Sequence, residues 1–139
     1  MTLFERILIA VDGSPKSEKT IAVAVDLARR YGSAVTVVHV REHERYEGSD
    51  VDLGPPIPAE DLVNDVLAAF AEGGVDASGE IRRVSSGSTP EQIVEVAVQS
   101  HADLIIMGSR GMTEWKSLLL GGVATKVVHQ AECPILLVR

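Results

Sequence analysis

The sequence predicts an α/β domain built on a doubly wound, five-stranded parallel sheet. Short apolar runs rich in Val and Ile alternate with segments of helical spacing along the chain. The runs are continuously apolar, without the alternation of a half-exposed strand, which is typical of a parallel sheet covered on both faces. Right-handed crossovers between parallel strands leave only a few arrangements, and we expect the commonest of them, strand order 3-2-1-4-5. The length of 139 residues predicts a single domain over residues 1–139.

The first two strands are predicted at residues 7–11, "ILIAV", and 34–40, "AVTVVHV". The helix between them is expected to have Ser14 as its N-cap and Pro15 in its first position. Gly32 is expected to end this helix, because glycine adopts the left-handed conformation that follows many helices.

A long polar loop is predicted over residues 41–58, which include three prolines. A second helix should follow, closed by Gly73 and Gly74. Its apolar stripe consists of Leu62, Val66, Ala69 and Phe70.

The second half of the chain predicts three more strands, at residues 80–87, 103–108 and 134–138. The helix after the first of these should begin with Thr89 as its cap, followed by Pro90 and then Gln92 in a capping box. The last helix should begin at Gly121 and Gly122.

Composition excludes several classes of protein. The net charge of −7 argues against nucleic-acid binding, which needs a basic surface. No apolar run approaches the roughly 18 residues of a membrane span, and the N-terminus lacks the pattern of a secretory signal. Cys133 is the single cysteine, so no intrachain disulfide can form, and we expect a cytoplasmic protein.

Two glycine-containing turns should meet where the winding of the sheet reverses, between the first and fourth strands. Asp12-Gly13-Ser14 follows the first of these strands, and Gly108-Ser109-Arg110-Gly111 follows the other. Open α/β sheets bind ligands at this crevice, and the amides of a helix N-terminus attract anions. The turns match neither a Walker A loop nor a dinucleotide fingerprint. The residues alone leave two interpretations open, a nucleotide or phosphate site and a plain turn with a helix cap.

The spacing Gly108-x2-Gly111-x9-Gly121 resembles the nucleotide-binding signature of universal stress proteins. The segments "ILIAVDGSPKS", "VVHV", "SSGSTPEQIVEVA" and "CPILLVR" resemble that family in the same order along nearly the whole chain. The resemblance implies a flavodoxin-like fold of the adenine nucleotide alpha hydrolase type. It also implies a protein that is often dimeric, and that binds ATP in one branch of the family and not in another.

The resemblance also implies which residues would bind the nucleotide. Met107 and Gly108 would flank the sugar, and the backbone of Val40 would contact adenine. Ala10 and Asp12 would line the adenine and ribose side. The phosphates would be surrounded by Arg110, Gly111, Gly121, Gly122 and Val123. The ligand would be ATP, with AMP and ADP as alternatives; Mg²⁺ could enter with it beside Asp12, although ribose hydrogen bonding is the preferred role of that carboxylate.

Gly122 stands where the ATP-binding branch usually has Ser or Thr. A lost hydroxyl contact to a charged group is worth roughly 1.5–3 kcal/mol, or about ten- to a hundredfold in affinity. The backbone amides of Gly121, Gly122 and Val123 remain. We therefore expect weaker phosphate binding at an intact site.

The lead hypothesis is an ATP-binding stress-response module that changes conformation or partners with its ligand. It is not expected to be an enzyme, because no general base is evident near the phosphates. The alternatives are a universal stress protein that binds no nucleotide and acts through protein partners, and a small hydrolase of adenylated compounds.

We also expect a homodimer paired through the apolar edge strand at residues 134–138. Three simpler roles stay open at individual positions. Asp12 could cap the turn before the first helix, and Arg110 could be a solvated cation. Trp115 and the leucines at 118–120 could pack in the core or at a dimer contact.

Overall fold

The computed structural model describes residues 2–110 and 120–139. The strands are β1 (Arg6–Ala10), β2 (Ala34–Tyr46), β3 (Ser49–Asp52), β4 (Ala77–Ser85), β5 (Leu104–Gly108) and β6 (Ile135–Val138). The helices are α1 (Ser17–Tyr31), α2 (Ala59–Glu72), α3 (Thr89–Gln99) and α4 (Gly122–Gln130). None of these helices is long and apolar enough to cross a membrane.

The parallel strands lie in the order β4-β2-β1-β5-β6. Numbered without the short β3, this is the expected order 3-2-1-4-5, so the doubly wound prediction is confirmed. The sheet has one strand more than expected, because β3 joins it antiparallel to β2. At His43, β2 pairs with β3 on one side and β4 on the other. Since β4 already occupies the far side of β2, β3 lies on the same side as β1, beyond its end.

The prediction of a loop over residues 41–58 is wrong for residues 41–52, which form the end of β2, a turn and β3. The polar residues after Val40 stay in the sheet, because β4 continues to pair with β2 as far as His43. A two-residue turn then returns the chain into β3. Glu47 and Gly48 have φ values of 49° and 78°, and two consecutive left-handed residues are what a tight hairpin turn needs. Residues 53–58 form the loop that remains.

Helix α1 begins at Ser17, so the predicted N-cap at Ser14 is wrong. Ser14 belongs to a turn held by Asp12: its amide donates to Asp12 Oδ1 at 2.9 Å, and its carbonyl accepts the amide of Ser17 at 3.0 Å. The predicted end of the helix is confirmed, because Gly32 is left-handed with φ 64° and its amide donates to the carbonyl of Ala28.

Thr89 is the first residue of α3, so the predicted cap at this position is wrong as well. Its hydroxyl donates to Glu42 Oε2 at 2.5 Å, across the gap between α3 and β2. Ser88 occupies the N-cap position without a side-chain cap bond. The side chain that a capping box would use to satisfy a helix amide therefore links the helix to the sheet.

Both faces of the sheet are buried, which explains the continuously apolar strands. Ile9 in β1, 0% exposed, packs on the face covered by α1 and α2. Its neighbour Leu8, also 0% exposed, packs on the opposite face against α3 and α4. This division leaves the carboxyl ends of the central strands as the place where a cavity can open.

Candidate functional site

A cavity of about 470 Å³ lies at the carboxyl ends of β1, β2 and β5. Here the chain winds away from β1 in opposite directions, so the position is that of the predicted crevice. Apolar side chains form much of one wall, among them Val38, Ile93 and Ala124. The volume falls within the range of small-molecule sites in proteins, roughly 300–1,000 Å³.

The structure brings most of the predicted site residues together. Those on the cavity wall are Ala10, Asp12, Val40, Met107, Gly108, Arg110, Gly121 and Val123. Gly122 is exposed at the start of α4 and is not part of the wall. Gly111 lies outside the described residues, as do Trp115 and the first two leucines of the predicted 118–120 contact.

Several wall residues were not predicted from the sequence. On the side of α1 these are Lys16, Ser17 and Thr20, whereas Ser14 belongs to the turn that was expected at the crevice. Ser17 and Thr20 are three residues apart, so they lie on one face of the helix, and that spacing is a signal in the sequence that could have identified them. On the side of β2 they include His39 and Glu42, for which no motif gives a signal.

Asp12 has a structural role that its position in the sequence left open. Its Oδ1 accepts the amide of Ser14 at 2.9 Å and the hydroxyl of Ser17 at 3.1 Å, so this oxygen caps the turn before α1. In the ranges 2–110 and 120–139, no hydrogen bond reaches Oδ2. The carboxylate therefore stabilises the turn and still presents an acceptor at the cavity.

The turn after β5 is joined to α4 through Ser109. The amide of Ser109 donates to Val138 at 2.8 Å, and its carbonyl accepts the amide of Gly121 at 2.7 Å. The expectation that the Gly121 amide is available to a phosphate is therefore wrong. Among the described residues, no acceptor contacts the amides of Gly122 and Val123, which leaves these two at the N-terminus of α4.

Groups of positive charge lie on part of the cavity wall. Lys16 and Arg110 lie on its wall, and the N-terminal end of α4, where the helix dipole is positive, meets it at Gly121 and Val123. An anionic group is favoured on this side, next to β5.

The backbone of Val40 faces the cavity at a gap in the sheet. The carbonyl of Val38 accepts the amide of Val11, and that of Glu42 accepts the amide of Leu53. Alternate residues of a strand direct their amide and carbonyl to the same side. The amide and carbonyl of Val40 therefore point to the side of the carbonyls of Val38 and Glu42, into the space between those two hydrogen bonds. No residue in the described parts of the chain pairs with them. A ligand thus meets one donor and one acceptor side by side.

Arg41 holds the loop that borders this gap. The residue is only 7% exposed, and its guanidinium donates to the carbonyl oxygens of Pro55 at 2.8 Å and Ile57 at 2.9 Å. Its Nε donates to both carboxylate oxygens of Asp52, at 2.9 and 3.0 Å. The amide of Gly54 and, after it, the guanidinium lower the pKa of Asp52.

Gly54 is required for this arrangement, since an added Cβ would lie 2.3 Å from Nε of Arg41. Leu53, Gly54 and Pro55 line the cavity, so the loop forms part of its wall. The sequence contains no signal that distinguishes the buried Arg41 from the exposed Arg45.

His39 is buried beneath the same loop, with 1% of its surface exposed. Its Nδ1 is 2.9 Å from the carbonyl oxygen of Val11 and therefore carries the proton that this bond needs. Burial lowers the pKa of His39, and the nearby charge of Arg41 adds to that effect against the opposing hydrogen bond. The imidazole is thus neutral, with a structural role between β1 and β2.

No cluster of three or more His, Cys, Asp and Glu side chains that could hold a metal ion occurs within residues 2–110 and 120–139. The described wall of the cavity carries hydrogen-bond donors, hydrogen-bond acceptors and charged side chains of both signs. Its chemistry suits a small molecule with an anionic end and a flat, hydrogen-bonding end.

Comparison with known proteins agrees with this architecture. The chain matches the universal stress protein family over residues 3–139. It is 36% identical to a universal stress protein of Thermus aquaticus, over 99% of this chain and 100% of the relative. The chain belongs to the universal stress protein family. The resemblance that short segments of the sequence indicated is thus confirmed over residues 3–139.

Solved structures show the same fold. A universal stress protein in complex with cAMP superposes with a TM-score of 0.76 at 19% identity, covering 98% of this chain and 97% of the other. The universal stress protein of Archaeoglobus fulgidus in complex with dAMP gives 0.73 at 23% identity, and each chain is covered completely, at 100%. Both complexes contain an adenine nucleotide on this α/β fold.

The neutral state of His39 predicts a pH dependence of stability. A histidine whose folded-state pKa lies below its unfolded value of 6.5 stabilises the fold fully above that value, and the contribution is lost as the pH falls. We expect the free energy of unfolding to decrease below pH 6.5, by at most about 1.4 kcal/mol per pH unit. Denaturant unfolding between about pH 5 and 6.5 measures this slope, above the range in which carboxylates titrate.

His39→Asn tests the assignment, because asparagine keeps a donor for Val11 and removes the titrating ring. The variant should unfold with a flatter pH profile in that window, whatever its absolute stability. His101→Asn is the matched control, since His101 is exposed, and it should keep the wild-type slope. Equal slopes in all three proteins would contradict the buried neutral histidine.

Proposed function

We propose that this protein binds an adenine nucleotide in the cavity at the ends of β1, β2 and β5, and acts as a ligand-dependent module in the stress response. The observation that carries the proposal is the polarity of the cavity. A backbone donor and acceptor at Val40, with no partner in residues 2–110 and 120–139, lie at one end, and the N-terminus of α4 with its positive helix dipole lies at the other. The two family members solved with cAMP and dAMP support it.

The two ends of the cavity suit different parts of a nucleotide. The donor and acceptor of Val40 are complementary to the edge of adenine, which presents a ring nitrogen beside an amino group. The apolar wall at Ala10 and Met107 suits the flat base and the sugar. Phosphates would lie near Arg110, Gly122 and Val123. ATP is the proposed ligand, with AMP and ADP sharing the same base contacts, and Mg²⁺ would enter bound to the phosphates.

The proposed role is binding without turnover. The proposal assigns Oδ1 of Asp12 to the turn before α1, where it accepts two hydrogen bonds, and Oδ2 to hydrogen bonding with the ribose, so it gives this carboxylate no role as a general base. The ligand would instead shift the protein between conformations or partners. A cytoplasmic location belongs to the same proposal and rests on the single cysteine.

Titration calorimetry with Mg-ATP tests the proposal directly. We expect saturable binding with a dissociation constant between micromolar and millimolar values, because one phosphate contact is missing at Gly122. Inorganic triphosphate, which carries the charge without the nucleoside, should bind more weakly. No binding at millimolar ATP would favour the alternative, a family member that acts through protein partners alone. Release of phosphate over many turnovers would show a hydrolase.

Gly122→Ser should tighten ATP binding. An added Cβ at Gly122 meets no atom of the described residues within 4 Å, so these residues leave room for the side chain. The hydroxyl would supply a phosphate contact worth about ten- to a hundredfold in affinity. Gly122→Ala is the matched control, because it adds the Cβ without the hydroxyl, and it should leave the affinity near that of wild type. If serine gives the same affinity as alanine, the phosphates do not reach this residue.

We further propose a homodimer formed through β6. This strand is an edge of the sheet, and all its residues, Ile135–Val138, are half-buried and apolar. The carbonyls of Pro134 and Val138 accept bonds from the β5 side. By the period of two, the backbone groups of Ile135 and Leu137 point outward, where a second copy could pair with them.

Leu137→Pro separates this pairing from side-chain packing, because proline removes the outward amide and leaves the bonds to β5 in place. We expect wild type to show about twice the monomer mass by light scattering at micromolar concentration, and the proline variant to show the monomer mass. Leu137→Ala removes the side chain but keeps the amide, so it should remain dimeric. A monomeric wild type would refute the homodimer.

A further inference from the structure

The wall of the cavity carries a carboxylate, Glu42, on the side away from Arg110. Glu42 lies on β2, whereas Arg110 follows β5, and β1 lies between those two strands. Two strand spacings separate them, roughly 10 Å across the sheet. A carboxylate repels the anionic part of a ligand, so Glu42 suits a part of the ligand that donates hydrogen bonds.

The side chain of Glu42 lies on the α3 side of β2, and a hydrogen bond from Thr89 holds it there. Residues 38, 40 and 42 alternate onto one face of β2, and Val38 and Val40 pack there among the residues of α3 and α4. Thr89, at the start of α3, donates its hydroxyl to Oε2 of Glu42 at 2.5 Å. No donor among the described residues reaches Oε1. A fixed carboxylate with one available oxygen therefore lies in the cavity wall.

The position of this oxygen relative to Val40 decides what it can recognise. Along β2 the amide of Val40 comes first, then its carbonyl, and then Glu42. An adenine ring whose N1 accepts from that amide places its 6-amino group beside the carbonyl. The amino group has two hydrogens, and the second points onward along β2, the direction in which Glu42 follows Val40. A carbonyl oxygen at position 6 would instead face a carboxylate, which is repulsive.

We infer that Glu42 is a specificity-determining residue that accepts a hydrogen bond from the exocyclic amino group of the bound base and so selects 6-amino purines. The inference rests on the proposed nucleotide site and specifies how that site chooses its base. Thr89 acts as a positioning residue, because its hydroxyl holds the carboxylate in place. Sites that hydrogen-bond a polar group discriminate strongly against analogues that lack it, since the protein group is then left without a partner.

The test compares ATP with the triphosphate of purine riboside, which is ATP without its 6-amino group. Calorimetry gives the ratio of the two dissociation constants for each protein. Wild type should favour ATP by about a hundredfold, because both the Val40 carbonyl and Glu42 lose a partner in the analogue. In Glu42→Ala the ratio should fall by about tenfold, since only the carbonyl remains. The ratio cancels any general weakening, because the two ligands share ring, sugar and phosphates.

Glu44→Ala is the matched control, as Glu44 is an exposed carboxylate on the same strand that does not line the cavity. It should keep the wild-type ratio. An unchanged ratio in Glu42→Ala, or an equal fall in both variants, would overturn the role of Glu42 while leaving ATP binding intact. Failure of wild type to bind either triphosphate would overturn the nucleotide site and, with it, this inference.

Discussion

The difference in length between two neighbouring strands shapes the whole site. β1 has five residues and β2 has thirteen, so β2 continues past the end of β1 with β4 as its neighbour on the other side only. A parallel strand that loses its neighbour leaves amides and carbonyls without partners, which is costly when they are buried. The chain satisfies most of them by returning as β3, and the remaining interval at Val40 opens into the cavity. The same feature thus creates the space and provides its hydrogen-bonding edge.

The two ends of that space differ in charge because they belong to different strands. The side of β5 carries Arg110 and the N-terminus of α4, and the side of β2 carries Glu42. A ligand can satisfy both ends only if it is anionic at the end near β5 and donates hydrogen bonds at the end near β2. For this reason the proposed ligand is a nucleotide, with phosphate and base at opposite ends, and the proposal depends on the order of the strands.

Much of the fold was predictable from the sequence, because buried parallel strands are continuously apolar and glycine marks a helix end such as Gly32. The hairpin was not, since the residues around Arg41 are polar and owe their strand conformation to pairing with β4. The caps at Ser14 and Thr89 failed for two different reasons. The amide of Ser14 is held by Asp12 in a turn that precedes the helix, and the hydroxyl of Thr89 bonds to Glu42 on a neighbouring strand. Site residues next to glycine turns could be located by motif. Glu42 could not, because its proposed role depends on β2 continuing where a loop was expected.

Arg41 binds the loop at residues 53–58 through two backbone carbonyls, those of Pro55 and Ile57. A guanidinium that recognises main-chain oxygen is indifferent to the side chains of the residues it holds. The loop can therefore change most of its side chains, and with them the shape of the cavity rim, without losing its attachment. Gly54 is the exception, because any Cβ there would meet the guanidinium. The arrangement separates the anchoring of a wall from its chemistry, which allows the rim to adapt to new ligands while the sheet beneath it stays the same.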